Sequence, residues 1–492
     1  MADLGIKDRH EETSGLRDWE SCRVLLHRIV DDLVNDMSRL PAGPVWQPME
    51  EEDRKMFHSD VPWEGISPEK VYEDLRRRVL PFNVNNNHPR FFGWVLGSTE
   101  PISAAASFIA AATNPSVSFF DQSAALVEQE VLGWLSEIIG FPKEACSGLL
   151  VSGCSMANFL GIACAREAIL EATQGSPGSG DLARLRLYAS SEQHGSVAKA
   201  CRLLGLSREA VRKIESEGGE RLSQDSLRVM IDQDRRDGKI PFCVVGTAGG
   251  VRSGVIDDLR ALATVCHEEK LWFHVDGAFG ALLRLCPKLR NRVDGIEYAD
   301  SLACDLHKFG LQPVGSGVFL TRHPELHRKL FGAGGADYVV KLMGSASDSR
   351  ADFTQLGLEF TRRFAALGLW LSWRSYGVNR VAEIIENAVK LAQQFKAQIA
   401  SRDELELVGR ADLNIVNFRF RAPDMTEGAL EIINKEILVR CQRRGHVMLS
   451  SAWISERFCL RVAVVNHLAE AEDLDRVLLE VTMLGAELQR GM

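Results

Sequence analysis

The sequence predicts an α/β protein. A large domain holds a mostly parallel sheet covered by helices, preceded by a helical N-terminal arm and followed by a small C-terminal α+β domain. Three observations lead there. From about Ser123 onward, short apolar runs alternate with segments of helical periodicity. Residues 242–246, 257–269 and 271–275 read as strand, helix and strand, one βαβ unit of the kind that builds a parallel sheet. From about Val381 the order changes to helix, strand, helix, strand, strand, helix, which marks a separate, smaller unit. A length of 492 residues suits two or three such units, with expected boundaries at 1–93, 94–380 and 381–492.

The elements follow in order. Residues 19–40 carry Val24, Leu25, Ile29, Val30, Leu33 and Met37 at helical spacing and stop before Pro41. A second helix is expected after Ser67-Pro68-Glu69, because serine caps well and proline suits the first turn. Residues 126–139 read as a helix, 148–152 as an apolar strand running into Gly153-Cys154-Ser155, and 156–172 as the next helix. The one low-complexity stretch, 173–180 (TQGSPGSG), reads as a flexible surface loop. Strands at 186–190, 301–305 and 317–321 complete the large sheet. A long helix begins near Arg363 and passes through Leu367, Leu369, Leu371 and Tyr376. Strands at 415–420, 446–450 and 459–465 belong to the small domain.

Composition narrows the function. A net charge of -9 argues against a large nucleic-acid or anionic-membrane surface, and Arg76-Arg77-Arg78 and Arg443-Arg444 are short enough to be solvated helix faces. The 11 cysteines are odd in number and none is spaced C-x-x-C, so a metal cluster or disulfide framework is not expected and reduced thiols in the cytoplasm are. The N-terminus lacks a signal-peptide pattern, and the Ala/Ser-rich run 101–113 is too short to span a bilayer.

Four short segments carry chemistry. Ser152-Gly153-Cys154-Ser155 lies between a strand and a helix, where free N–H groups and the helix dipole attract anions; Ser155 could donate to a phosphate, or simply cap the helix. Asp276, in His274-Val275-Asp276-Gly277-Ala278, ends a buried strand, where ligands of open α/β sheets bind. A carboxylate there needs a partner: a protonated pyridine nitrogen would serve, and so would loop amides. Lys308, in Asp305-Leu306-His307-Lys308, follows another strand and could be desolvated for imine chemistry. His194 follows a third strand and could stack on a flat ring, or be an ordinary loop histidine. Arg461, on an apolar strand of the small domain, suits a carboxylate ligand or a structural ion pair equally. A cradle for phosphate, a buried Asp and a strand-end Lys in this order each match one part of a single cofactor.

Together with His88-Pro89-Arg90-Phe91-Phe92, these segments resemble the group II pyridoxal-phosphate decarboxylases, a likeness running from about Asn86 to the C-terminus and strongest toward the aromatic-L-amino-acid branch. The resemblance implies fold type I, pyridoxal 5'-phosphate as cofactor, and a homodimer whose N-terminal arm packs on the partner and whose active sites lie at the interface. It implies that Lys308 forms the imine, Asp276 pairs with the pyridine nitrogen, and His194 and Ala278 contact the two ring faces. Ser155 and the backbone of Cys154 would hold the phosphate. His307 would stand near the phosphate or substrate, and Arg461 near the phosphate or substrate carboxylate. No metal is expected. Phe91, Phe92 and Trp94 are candidates for substrate contact, though aromatics so spaced are equally core.

Two departures stand out. The family often has Thr where this chain reads Gly250. It also commonly carries, on a mobile loop expected here at 332–353, a Tyr that returns a proton to the substrate after carbon dioxide leaves; the matching position is Phe353, with Tyr338 as a stand-in. A Tyr-to-Phe change accompanies aldehyde formation in some relatives. Decarboxylation of an aromatic L-amino acid to its amine is therefore the first expectation, and oxidative deamination to an aldehyde the second. Transamination or an inactive binding protein ranks lower.

Overall fold

The computed structural model describes residues 18–332 and 352–491, apart from 119–121, 143–144, 174–178, 215–220 and 424. Seven strands form the large sheet: β1 (Ser147–Val151), β2 (Leu185–Ser190), β3 (Val211–Ile214), β4 (Ile240–Thr247), β5 (Trp272–Asp276), β6 (Ser301–Asp305) and β7 (Gly317–Thr321). Their order is β1-β7-β6-β5-β4-β2-β3. Neighbours from β6 through β3 are parallel, and β7 runs antiparallel to both β6 and β1. Every residue of β2, β5 and β6 is buried, as strands covered on both faces must be. β3 was not anticipated; its four residues include Arg212 and Lys213 at the sheet edge, which break the apolar run.

The second sheet comprises β8 (Leu405–Leu407), β9 (Ile415–Phe420), β10 (Ser450–Ile454) and β11 (Arg457–Ala463), in the order β10-β11-β9-β8. The strand expected at 446–450 lies instead at Ser450–Ile454. The reason is the turn: Ser455 and Glu456 take φ of 48° and 61°, a two-residue hairpin loop that pairs Ile454 with Arg457 and sets the register of both strands. The helix expected from near Arg363 runs Ala366–Tyr376, and the one expected from about Val381 runs Val378–Ala400, the two separated at Gly377.

At the N-terminal end, the helix Trp19–Arg39 buries none of its residues and leaves Val24, Val30, Leu33 and Val34 exposed. The helix Pro68–Arg78 begins as expected, with Ser67 accepting from the Lys70 amide. Among the described residues no helix is long and apolar enough to cross a membrane, and the cysteines are free, most of them buried.

Because β1, β2, β4, β5 and β6 share one direction, their C-terminal ends open on one edge of the sheet. The turns that leave this edge bring together residues far apart in the chain.

Candidate active site

A cavity of about 370 Å³ opens at that edge. Its wall takes Ser152 to Ser155 after β1, Glu192 and His194 after β2, Thr247 at the end of β4, Asp276 and Ala278 at β5, and Asp305, His307 and Lys308 at β6. Trp94 and Arg461 close it from the N-terminal segment and the second sheet. All the residues expected to bind the cofactor, Cys154, Ser155, His194, Asp276, Ala278, His307 and Lys308, line this one space, as does Arg461.

Lys308 Nζ stands 2.9 Å from Asp305 Oδ2. Burial pulls the amine down, but Asp305 and smaller contributions from Cys154 and Asp276 together outweigh it, so Lys308 sits above its ordinary value. The second Asp305 oxygen accepts from the Cys154 backbone N–H at 2.6 Å. The helix-end amide of Cys154, expected to hold a phosphate, meets a carboxylate of the chain itself, and the Ser152 and Ser155 side chains are the other polar groups of that turn on the wall. Gly153 takes φ of 144° to make the turn, and a Cβ there would approach Asp305 to 3.3 Å. His307 Nδ1 bonds the Ser316 carbonyl at 3.0 Å, and burial lowers its pKa.

Asp276 is 5% exposed. Its Oδ2 accepts from Asn158 Nδ2 at 2.9 Å and its Oδ1 from the Ala278 amide at 3.2 Å. No cationic side chain among the described residues forms an ion pair with it. Hydrogen bonds from neutral groups hold this carboxylate, with its charge left for a ligand in the cavity. His194 caps the helix Gly195–Leu203, its Nδ1 accepting from the Ser196 amide at 3.2 Å.

Arg461 donates to Ser450 Oγ and to the Val251 carbonyl, and burial lowers it to about 10. Glu192, also buried, pairs with Arg252 at 2.7 Å. A Cβ on Gly250 would lie 3.1 Å from Glu192 Oε2, so the Glu192 carboxylate occupies the space beside the position where a threonine is common. The buried Thr247 hydroxyl has no partner among the described residues.

The aromatic candidates divide. Trp94 lines the cavity, half exposed, with φ of 52° and its amide held by Ser450 Oγ at 3.0 Å. Phe91 and Phe92 do not: both are buried, Phe91 against Val45 and Met448 and Phe92 in the main core. The chain pairs there with Met448 and Ala463, which turns those rings inward. Phe353 is absent from the wall as well; it is 1% exposed in a short 3-10 turn, under the Arg362 guanidinium at 5.1 Å. Tyr338 and most of the expected loop 332–353 lie outside the described residues, as do positions 174–178 of the low-complexity stretch.

Asp305, Asn158, Glu192 and Thr247 were missed. Asp305 had a signal, an acid at a strand end one helical turn before Lys308. Asn158 had none, since its partner lies 118 positions away.

The donor set suits a phosphorylated pyridine aldehyde: a buried amine, a carboxylate at Asp276 in no ion pair among the described residues, an imidazole, and hydroxyls at a helix end. A family model for the pyridoxal-dependent decarboxylase conserved domain matches residues 50–421. The chain is 30% identical to an aromatic-L-amino-acid decarboxylase of Bacillus atrophaeus, over 95% of this chain and 96% of that one. It is 28% identical to the acidic amino acid decarboxylase GADL1 of Homo sapiens, over 95% and 90%. A crystal structure of Oryza sativa TDC with PLP and tryptamine is similar with a TM-score of 0.89 at 25% identity, covering 95% of this chain and 98% of that one.

Proposed function

The chain belongs to the pyridoxal-dependent decarboxylase family, a lyase that uses pyridoxal 5'-phosphate on an amino acid, and from that premise we propose that it converts an aromatic L-amino acid to its amine and carbon dioxide. The observation that carries the reading is that the Lys308 amine and a buried Asp276 carboxylate, the latter in no ion pair among the described residues, line the same cavity. Trp94 at the cavity mouth and the similarity to an aromatic-L-amino-acid decarboxylase support the substrate class.

Lys308 would hold the cofactor covalently, Asp276 would keep a proton on its ring nitrogen, and His194 and Ala278 would bracket the ring. Ser155 would bind the phosphate. When bound, pyridoxal phosphate supplies a protonated pyridine that accepts the electron pair released as carbon dioxide leaves. Arg461, a buried cation near Glu192 whose hydrogen bonds among the described residues go to Ser450 Oγ and the Val251 carbonyl, would bind an anionic group of substrate or cofactor. Lys308, His307 and His194 are among the groups of the wall able to carry a proton. We take the protein to act as a homodimer, supported by the apolar face that the helix Trp19–Arg39 leaves exposed, and in the cytoplasm. The three domains are taken as 1–93, 94–380 and 381–492.

Purified protein given a panel of L-amino acids tests this, with amine, aldehyde and peroxide scored together. Amine from aromatic substrates, lost in Lys308→Ala along with the visible cofactor band, is expected. Aldehyde with stoichiometric peroxide would instead establish oxidative deamination, and turnover by Lys308→Ala would overturn the assignment of the lysine.

A further inference from the structure

Asp276 and His194 leave different strands, and no hydrogen bond joins them directly. Asn158, on the helix Cys154–Ala172, is fully buried and stands behind the cavity wall. Its Nδ2 is 2.9 Å from Asp276 Oδ2 and 2.9 Å from Ser196 Oγ. Its Oδ1 is 2.9 Å from His274 Nε2. Behind it, His274 Nδ1 is 2.8 Å from Ser301 Oγ, which accepts from Trp272 Nε1 at 2.8 Å. In front, Ser196 Oγ is 2.8 Å from His194 Nδ1.

The chemistry of the ends orients every bond. An indole N–H only donates, and an ionised carboxylate only accepts. Asp276 accepts from Asn158 Nδ2, so Asn158 Oδ1 faces His274 Nε2, which must donate, and the Ser301 hydroxyl, accepting from Trp272, donates to His274 Nδ1. Burial lowers His274 to about 3 and keeps it neutral, so its one hydrogen sits on Nε2 and goes to Asn158 Oδ1. Both Asn158 N–H hydrogens are then committed, one to Asp276 and one to Ser196. Ser196 passes its own hydrogen to His194 Nδ1, which the Ser196 backbone N–H also approaches at 3.2 Å. Two donors meet at Nδ1, so that nitrogen accepts and the ring hydrogen is on Nε2. The helix can carry this chain of bonds because position 161 is glycine: a Cβ there would stand 2.4 Å from His274 Cε1.

We propose that Asn158 is a positioning residue that couples Asp276 to His194, holding the carboxylate in place with one hydrogen of its amide and setting the tautomer of the imidazole through the other. The inference rests on the reading of Asp276 and His194 as contacts of the cofactor ring. It differs from a role in helix packing alone, which would lower stability and leave both groups as they are.

The test uses holoenzyme of Asn158→Ala, Asn158→Asp and Ser196→Ala, with two readouts: the rate of cofactor release and the 15N chemical shifts of labelled histidine rings. A hydrogen bond to a charged group is worth enough that Asn158→Ala should release cofactor about ten- to a hundredfold faster, with the His194 nitrogens shifted toward a mixture of tautomers. Asn158→Asp keeps the side-chain volume and the acceptor for His274 but sets a carboxyl against Asp276, so it should change both readouts even if the alanine variant does not fold. Ser196→Ala should shift His194 and change release less. Wild-type release and wild-type His194 shifts in a folded Asn158 variant would overturn the coupling. Asp276→Asn serves as the reference: if it too retained cofactor like wild type, the reading of the site itself would fall.

Discussion

Replacing Asp305 with asparagine should free the Lys308 amine at lower pH. The substitution keeps an oxygen to accept from the Cys154 amide and removes the charge 2.9 Å from Lys308 Nζ. At an effective dielectric of about 20, two unit charges at that separation attract by about 6 kcal/mol. If only a quarter of this reached the protonation equilibrium, about 1.4 kcal/mol, the fraction of unprotonated amine at neutral pH would rise about tenfold. The sign follows from the causes: burial lowers Lys308 and Asp305 raises it, so deleting the charge leaves burial unopposed by its main counterweight. The assay is the rate at which cofactor-free protein regains its visible band when pyridoxal phosphate is added, measured across pH. The rise of that rate should move to lower pH in Asp305→Asn. An unchanged profile would refute the idea that Asp305 controls the amine.

Two further outcomes are expected. Arg362 and Glu128 form a buried pair through Arg362 Nη2 and Glu128 Oε1 at 2.6 Å, with side chains 3% and 0% exposed, so Arg362→Met should destabilise the protein by about 3–5 kcal/mol and adding Glu128→Leu should recover most of it, as read by urea denaturation. His88, His274 and His327 are held neutral by burial, at about 4, 3 and 4, below their unfolded value of about 6.5; their contribution is complete above that value and lost as pH falls toward the folded ones. Asp257, raised by burial to about 6, acts in the opposite sense and offsets one of the three. These four groups should together lower stability by about 2–3 kcal/mol between pH 6 and pH 5, and denaturation midpoints that held or rose over that range would contradict the assignment.

Much of the site is legible in the sequence because its residues sit where strands end. Asp276 closes β5 and Lys308 follows β6 by three residues, so a parallel sheet alone places both at one edge. Phe91 and Phe92 show where such reading stops. Their apolar character says that they are covered, and only the pairing of that segment with Met448 and Ala463 says by what. Phe353 is similar: its place in the chain suggested a loop residue near substrate, and its ring packs beneath Arg362.

Local periodicity and the character of each strand end were determined by the sequence itself, because side-chain spacing and turn chemistry act over a few residues. That held for the α/β alternation, the glycine turn at 153 and the lysine and carboxylate of the cavity. Tertiary structure alone decided which partners those groups meet. Asp305 meets the Cys154 amide from another strand end, and Asn158 reaches Asp276 and Ser196 from a different element. Such bonds span 38 to 151 positions, and their geometry exists only once the sheet has brought the strand ends side by side.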